Sequence, residues 1–200
     1  MKAKKDWFWF ALKIFLVLLT IFLIYFFSIA IVFKQNSKLK YNTNYTEREK
    51  TRVIDYLFEQ YNNLDREYLS LSSGKQLIQQ LTGISFYKEV IIDLPHDNAG
   101  CANPILRIVF IDSIIYNRAI KDDLYLNDYF IVLTHEYIHI SKVLGDERAT
   151  QFETFKLLYE SNNNRLKQCA MQFAINILYD RYPQEYDCSY YIIDYLLKLI

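Results

Sequence analysis

From Trp7 to Phe33 the chain has a single charged residue, Lys13, and residues 15–33 (FLVLLTIFLIYFFSIAIVF) are almost wholly apolar. A bilayer hydrocarbon core of roughly 30 Å is crossed by about 20 helical residues, which this run supplies. It therefore divides the chain into three expected parts. Residues 1–33 form an N-terminal tail and transmembrane anchor, and the polar, turn-rich residues 34–45 (KQNSKLKYNTNY) form a juxtamembrane linker. Residues 46–200 form one domain, large enough to bury its own core. Trp7 and Trp9 suit an interfacial position, and Lys13 is near enough to that end to snorkel. A cleaved signal peptide is the competing reading, because Met1-Lys-Ala-Lys-Lys5 makes a good positive leader. The apolar run exceeds a usual signal core, however, and no small-residue cleavage site follows it. Lysines flank the segment on both sides, so charge bias gives almost a tie. The short basic tail favours a cytoplasmic N-terminus, hence a single-pass protein with an extracytoplasmic domain.

Lys+Arg and Asp+Glu are equal at 23 each, so no basic excess calls for a nucleic-acid partner. Seventeen per cent aromatic residues gives ample surface to bury, and only four Gly and three Pro leave few breaks. A mostly helical α+β domain is expected. Thr46 and Glu49 have capping-box spacing ahead of Val53, Ile54, Leu57 and Tyr61. A second helix is expected over 64–81, with Ser73-Gly74 as a break. Two β-branched and aromatic stretches, 84–94 and 105–115, predict strands joined by a long loop, 95–104. Helices resume from Asn127 or Asp128 as cap to Leu144, closed by Gly145. Further helices are expected from near Asp146, over 166–179, and over 190–200 after the Tyr182-Pro183 break. Cys101, Cys169 and Cys188 include no CxxC pair, so a thiolate metal site is not expected. Cys169 reads as a buried small hydrophobe, and one disulfide stays open.

The chemistry concentrates at residues 132–141, VLTHEYIHIS. His135 and His139, four apart, project from one helix face about one turn apart and can share a Zn²⁺. Glu136 between them can reach a water on that ion. With three His in 200 residues, chance would produce this motif about 0.002 times per chain. A catalytic zinc site takes a third protein ligand and leaves a position open. In the following GDERATQFETF, Glu147 falls in the first turn of the next helix and is the leading candidate. Asp146 is its rival, with a shorter arm and an equally suitable role as N-cap. Glu153 lies nearly two turns further on.

This pattern, with a Glu on the helix after His-Glu-x-x-His, resembles the gluzincin branch of zincin metallopeptidases. More closely, the chain is similar to a bacterial membrane-protein family of unknown function. That family's pattern is Gly-x-x-Asn-Pro, HExxH, then Glu-x-x-Ala-Asn-Phe. The matching residues are Gly100-Cys-Ala-Asn103-Pro104, His135 to His139, and Glu147-Arg-Ala-Thr150-Gln151-Phe152, with Ser161 where the family carries a serine. The resemblance covers about residues 100–165 and is strongest at HExxH. It implies Glu147 as third ligand. Thr150 and Gln151 depart from the pattern, the spacer is one residue longer, and one anchor replaces several membrane helices.

The expected activity is a membrane-anchored zinc endopeptidase, with Glu136 as catalytic base and a peptide or protein near the bilayer as substrate. Residues 105–113 are the candidate edge strand for an extended peptide, with Val109, Phe110 and Ile111 as substrate contacts. His96 could approach the cleft or be a solvated turn residue, and Asn103-Pro104 could shape the turn into the strand. Tyr129, Phe130, Phe152 and Phe155 fall at helical spacing and read as core. Two other classes stay open: a zinc-binding sensory or interaction module, and a structural membrane protein with a fortuitous HExxH.

Overall fold

A computed structural model describes residues 12–20, 45–84, 87–95, 98–142, 146–179, 181 and 187–200. Expectations for His96, Gly145, Tyr182-Pro183, most of the linker and much of the apolar segment lie outside these residues. Residues 12–20 are helical, and every side chain from Ile14 to Leu19 is exposed. Among the described residues no helix is long and apolar enough to cross a membrane.

Residues 39–200 form a separate compact unit, mostly helical with one small mixed sheet, as the α+β expectation required. Helix α1 (Glu47–Asn63) starts at the expected capping box. The Thr46 hydroxyl accepts from Glu49 N at 3.2 Å, and the Glu49 carboxylate accepts from Thr46 N at 2.7 Å. Helix α2 (Leu71–Thr82) is shorter than expected and begins at a Ser70 cap, so residues 64–70 are non-helical. Gly74 breaks nothing. It lies inside α2 because the Phe130 ring rests on it, where an added Cβ would come within 2.1 Å of Phe130 Cζ. Gly83 ends the helix in the left-handed conformation, φ 69°.

The sheet differs from the expected strand pair. Strand β1 (Lys88–Ile92) pairs in parallel with β3 (Ile108–Asp112), and a third strand, β2 (Gly100–Asn103), emerges from the expected loop to pair antiparallel with β3. The order is β1-β3-β2, with Val90, Phe110 and Cys101 in register. This corrects the substrate-edge expectation for Val109, Phe110 and Ile111. They sit in the central strand, whose backbone is committed on both sides, and Val109 and Ile111 are fully buried. Asn103 shapes the β2–β3 turn, its Oδ1 accepting from Ile105 N and Leu106 N at 3.1 and 3.0 Å.

β3 stops at Asp112 rather than Ile115 because that side chain accepts from Ile114 N at 2.8 Å and caps α3 (Ser113–Lys121). A short 3₁₀ turn, Asp123–Tyr125, leads into α4 (Leu126–Lys142). Neither Asn127 nor Asp128 caps α4. Asn127 is instead buried, donating to Gln172 at 2.9 Å and accepting from the Cys169 thiol at 3.2 Å.

Helix α4 is the axis of the domain, touching α2, α3, β2, β3 and the two helices that follow: α5 (Glu147–Tyr159) and α6 (Asn164–Leu178). Tyr129, Phe130, Leu133 and Tyr137 on α4 are fully buried, and Phe152 and Phe155 of α5 join the same core. The last helix, α7 (Ser189–Leu197), closes over α1, α5 and α6. All three cysteines are free thiols, Cys169 and Cys188 buried and Cys101 exposed.

Candidate metal centre

On α4, His135 and His139 fall one turn apart, and their Nε2 atoms converge to 3.0 Å. The start of α5 is fixed by Asp146, whose side chain accepts from Arg148 N at 3.0 Å and Ala149 N at 3.5 Å. That cap leaves the next residue, Glu147, turned towards α4. Its Oε2 lies 3.1 Å from His135 Nε2 and its Oε1 3.4 Å from His139 Nε2. Among the described residues these three form the one group of His, Cys, Asp and Glu side chains close enough to share an ion. The alternatives are accounted for: Asp146 caps α5, and Glu153 pairs with Lys142.

The donor set fits a small divalent cation on two grounds. Ligand bonds of 2.0–2.2 Å in a tetrahedron place neighbouring donors about 3.3–3.5 Å apart. The observed spacings of 3.0, 3.1 and 3.4 Å are close to that range. The donors also suit a cation chemically. Burial, opposed by the Glu147 hydrogen bond and helped by the His139 neighbour, holds His135 below the usual imidazole range, so the ring favours its neutral, ligating form. Burial alone would raise the Glu147 carboxyl, but hydrogen bonds from His135 and His139 win and hold it well below the carboxylate range. His135 Nδ1 is buried and has no partner among the described residues. The histidine side chains are 12% and 16% exposed and Glu147 is 41% exposed, so the cluster opens to solvent on the α5 side.

Glu136 projects from the same helix but is buried, 5% exposed. Burial pushes its carboxyl up to about 7, with Glu147 adding to the shift and His139 opposing it. Its cover is β2. An added Cβ on Gly100 would come within 2.8 Å of Glu136 Oε1, 2.9 Å of its Cγ and 2.8 Å of Val132 Cγ1. Gly100 therefore lets the strand backbone lie directly on the carboxylate. Cys101 follows it on the exposed face of β2, its thiol pushed up by burial and by the nearby Glu136 and Glu147 charges.

Two contributors escaped sequence reasoning. Strand β2 is one; residues 100–104 stood out as a Gly-x-x-Asn-Pro pattern, but nothing in their composition marked a strand. The other is a polar link that braces α4 before the histidines. Tyr129 donates to Glu89 of β1 at 2.6 Å, and Lys75 of α2 donates to the same carboxylate at 2.7 Å. Lys75 Nζ also lies 5.4 Å and 5.6 Å from the Tyr129 and Tyr116 ring centroids. These residues are far apart in the chain, and no spacing rule joins them. Ser161 is buried at the end of α5, donating to Asn163 O at 3.2 Å, and has no contact with the cluster among the bonds described.

The arrangement can bind one ion through three donors, keep one face open, and hold a carboxylate beside it. Comparison with models of known protein families, with curated proteins and with solved structures finds no match.

Proposed function

We propose that the chain is a membrane-anchored, zinc-dependent endopeptidase of the gluzincin type, with zinc held by His135, His139 and Glu147 and with Glu136 as the general acid–base. The observation that carries this reading is the convergence of two imidazole nitrogens and a carboxylate at 3.0–3.4 Å, beside a buried fourth side chain that is itself a carboxylate. Two His and a Glu are a catalytic rather than a structural zinc set, because they leave a coordination position open. Bound zinc supplies Lewis acidity, activating water for attack and stabilising negative charge on a carbonyl oxygen.

The remaining work belongs to the chain. Glu136 receives a proton from the attacking water on a carboxylate oxygen and delivers it to the departing amine. A buried acid between two metal ligands has no use in a purely structural site. Gly100 keeps β2 close enough to exclude bulk water from that carboxylate. Strand β2 is an edge of the sheet and lies against α4, so it replaces β3 as the place where an extended peptide adds antiparallel. The exposed apolar side chains of residues 14–19 support the anchor, since lipid is the solvent that suits them.

The test uses the full chain in lipid vesicles with zinc and a randomised fluorogenic peptide library. Wild type is expected to cleave internal peptide bonds, and Glu136→Gln to keep its zinc while losing cleavage. Zinc-loaded wild type that cleaves nothing, or a Glu136→Gln variant as active as wild type, overturns the reading.

A further inference from the structure

The β2–β3 turn, residues 104–107, has the sequence Pro-Ile-Leu-Arg. Hairpin tips usually carry polar residues, yet here Ile105 is 60% and Leu106 64% exposed. The turn is pre-formed: Asn103 holds both of their backbone N–H groups, and Arg107 takes φ 52°, a left-handed conformation unusual for a residue with a side chain. A rigid turn thus holds two aliphatic side chains in water, where neither contributes to the core.

Two exposed basic residues accompany this apolar tip. Arg107 is exposed, and its carbonyl accepts from the backbone of Lys88, which is also exposed. No acidic residue occurs from 98 to 111. Glu89, beside Lys88, is turned to the other face of the sheet and held by Lys75 and Tyr129. The more exposed Leu124, at 78%, lies beside balanced charges: Asp123 is paired with Arg165 at 3.1 Å, and exposed Asp122 adjoins exposed Lys121. An anionic lipid surface would attract the first tip more strongly than the second.

We infer that the β2–β3 turn is a membrane-docking element. Ile105 and Leu106 enter the bilayer interface, and Arg107 and Lys88 meet anionic headgroups. This rests on the anchor reading, because that anchor would tether the domain to a bilayer. Docking through this turn brings β2, with Glu136 beneath it, towards the lipid surface, so the substrates served are membrane-proximal segments rather than freely diffusing peptides.

The experiment places an environment-sensitive fluorophore on Leu106→Cys or on Leu124→Cys of the full chain. The background is Cys101→Ser, and Cys169 and Cys188 are buried. The vesicles are phosphatidylcholine–phosphatidylglycerol with a doxyl-lipid quencher. Trp7 and Trp9 are the chain's two tryptophans and report the anchor separately. The expected result is a blue-shifted, quenched label at 106, an aqueous label at 124, and loss of the shift in Lys88→Glu/Arg107→Glu. An aqueous label at 106 with quenched tryptophans overturns the docking turn and leaves the anchor standing. Unquenched tryptophans overturn the anchor and the turn with it. Equal insertion of both labels overturns the assignment to this turn.

Discussion

Replacing Gly100 by alanine tests whether β2 sets the position of Glu136. The new Cβ would lie 2.8 Å from Glu136 Oε1 and from Val132 Cγ1, against ordinary contact from 3.4 Å upward. Each neighbour must therefore retreat by about 0.6 Å, an overlap well inside van der Waals separation. Glu136 is 5% exposed and has no open solvent to move into, and Val132, half-buried, is held on the central helix. Overpacking of this kind costs about 1–3 kcal/mol, which lowers the melting temperature by about 2–12 °C in a domain of this size. Misplacing a reacting group by an ångström costs on the order of 10²-fold in rate. If Glu136 is the general base of the proposed peptidase, a shift of about 0.6 Å should slow peptide cleavage at least tenfold. None of the three proposed ligands is touched, so metal content should not change. Calorimetric melting, zinc analysis and the fluorogenic assay on one preparation read all three quantities. A Gly100→Ala protein with wild-type melting and wild-type cleavage would refute the close approach of β2 to Glu136.

Glu147→Gln should lose stoichiometric zinc. Asp146→Asn, which keeps a capping oxygen, should retain it, as equilibrium dialysis will read; equal loss in both would return Asp146 to the ligand set. Gly74→Ala should destabilise by about 3 kcal/mol, since its Cβ would lie 2.1 Å from Phe130, and urea unfolding measures it. Tyr129→Phe removes a 2.6 Å hydrogen bond to a carboxylate and should cost about 1.5–3 kcal/mol. Unchanged unfolding midpoints would contradict the last two.

How much was legible in the sequence follows from which interactions are local. The capping box at Thr46 and Glu49, the histidine pair and the cap at Asp146 are short-range patterns, and each is where the spacing put it. Glu147 reaches the histidines because Asp146 fixes the first turn of α5, a consequence also readable within a few residues. The sheet was harder. Strand β2 has four residues, including a glycine and an asparagine, so propensity hid it inside a loop. Missing it made β3 look like an edge, and the expected peptide site fell on Val109, Phe110 and Ile111. Gly74 misled for a related reason: its helical neighbours point to a break only if nothing packs on it, and Phe130, 56 residues away in the chain, does. The Lys75–Glu89–Tyr129 link likewise exists only after the chain has folded.

The most direct test is the zinc content of the purified full chain after zinc reconstitution and removal of excess metal, beside its His139→Ala variant. About one zinc per wild-type chain, lost in the variant, is expected from a His135–His139–Glu147 site. A folded wild-type protein that retains no zinc would contradict the metal centre and, with it, the endopeptidase.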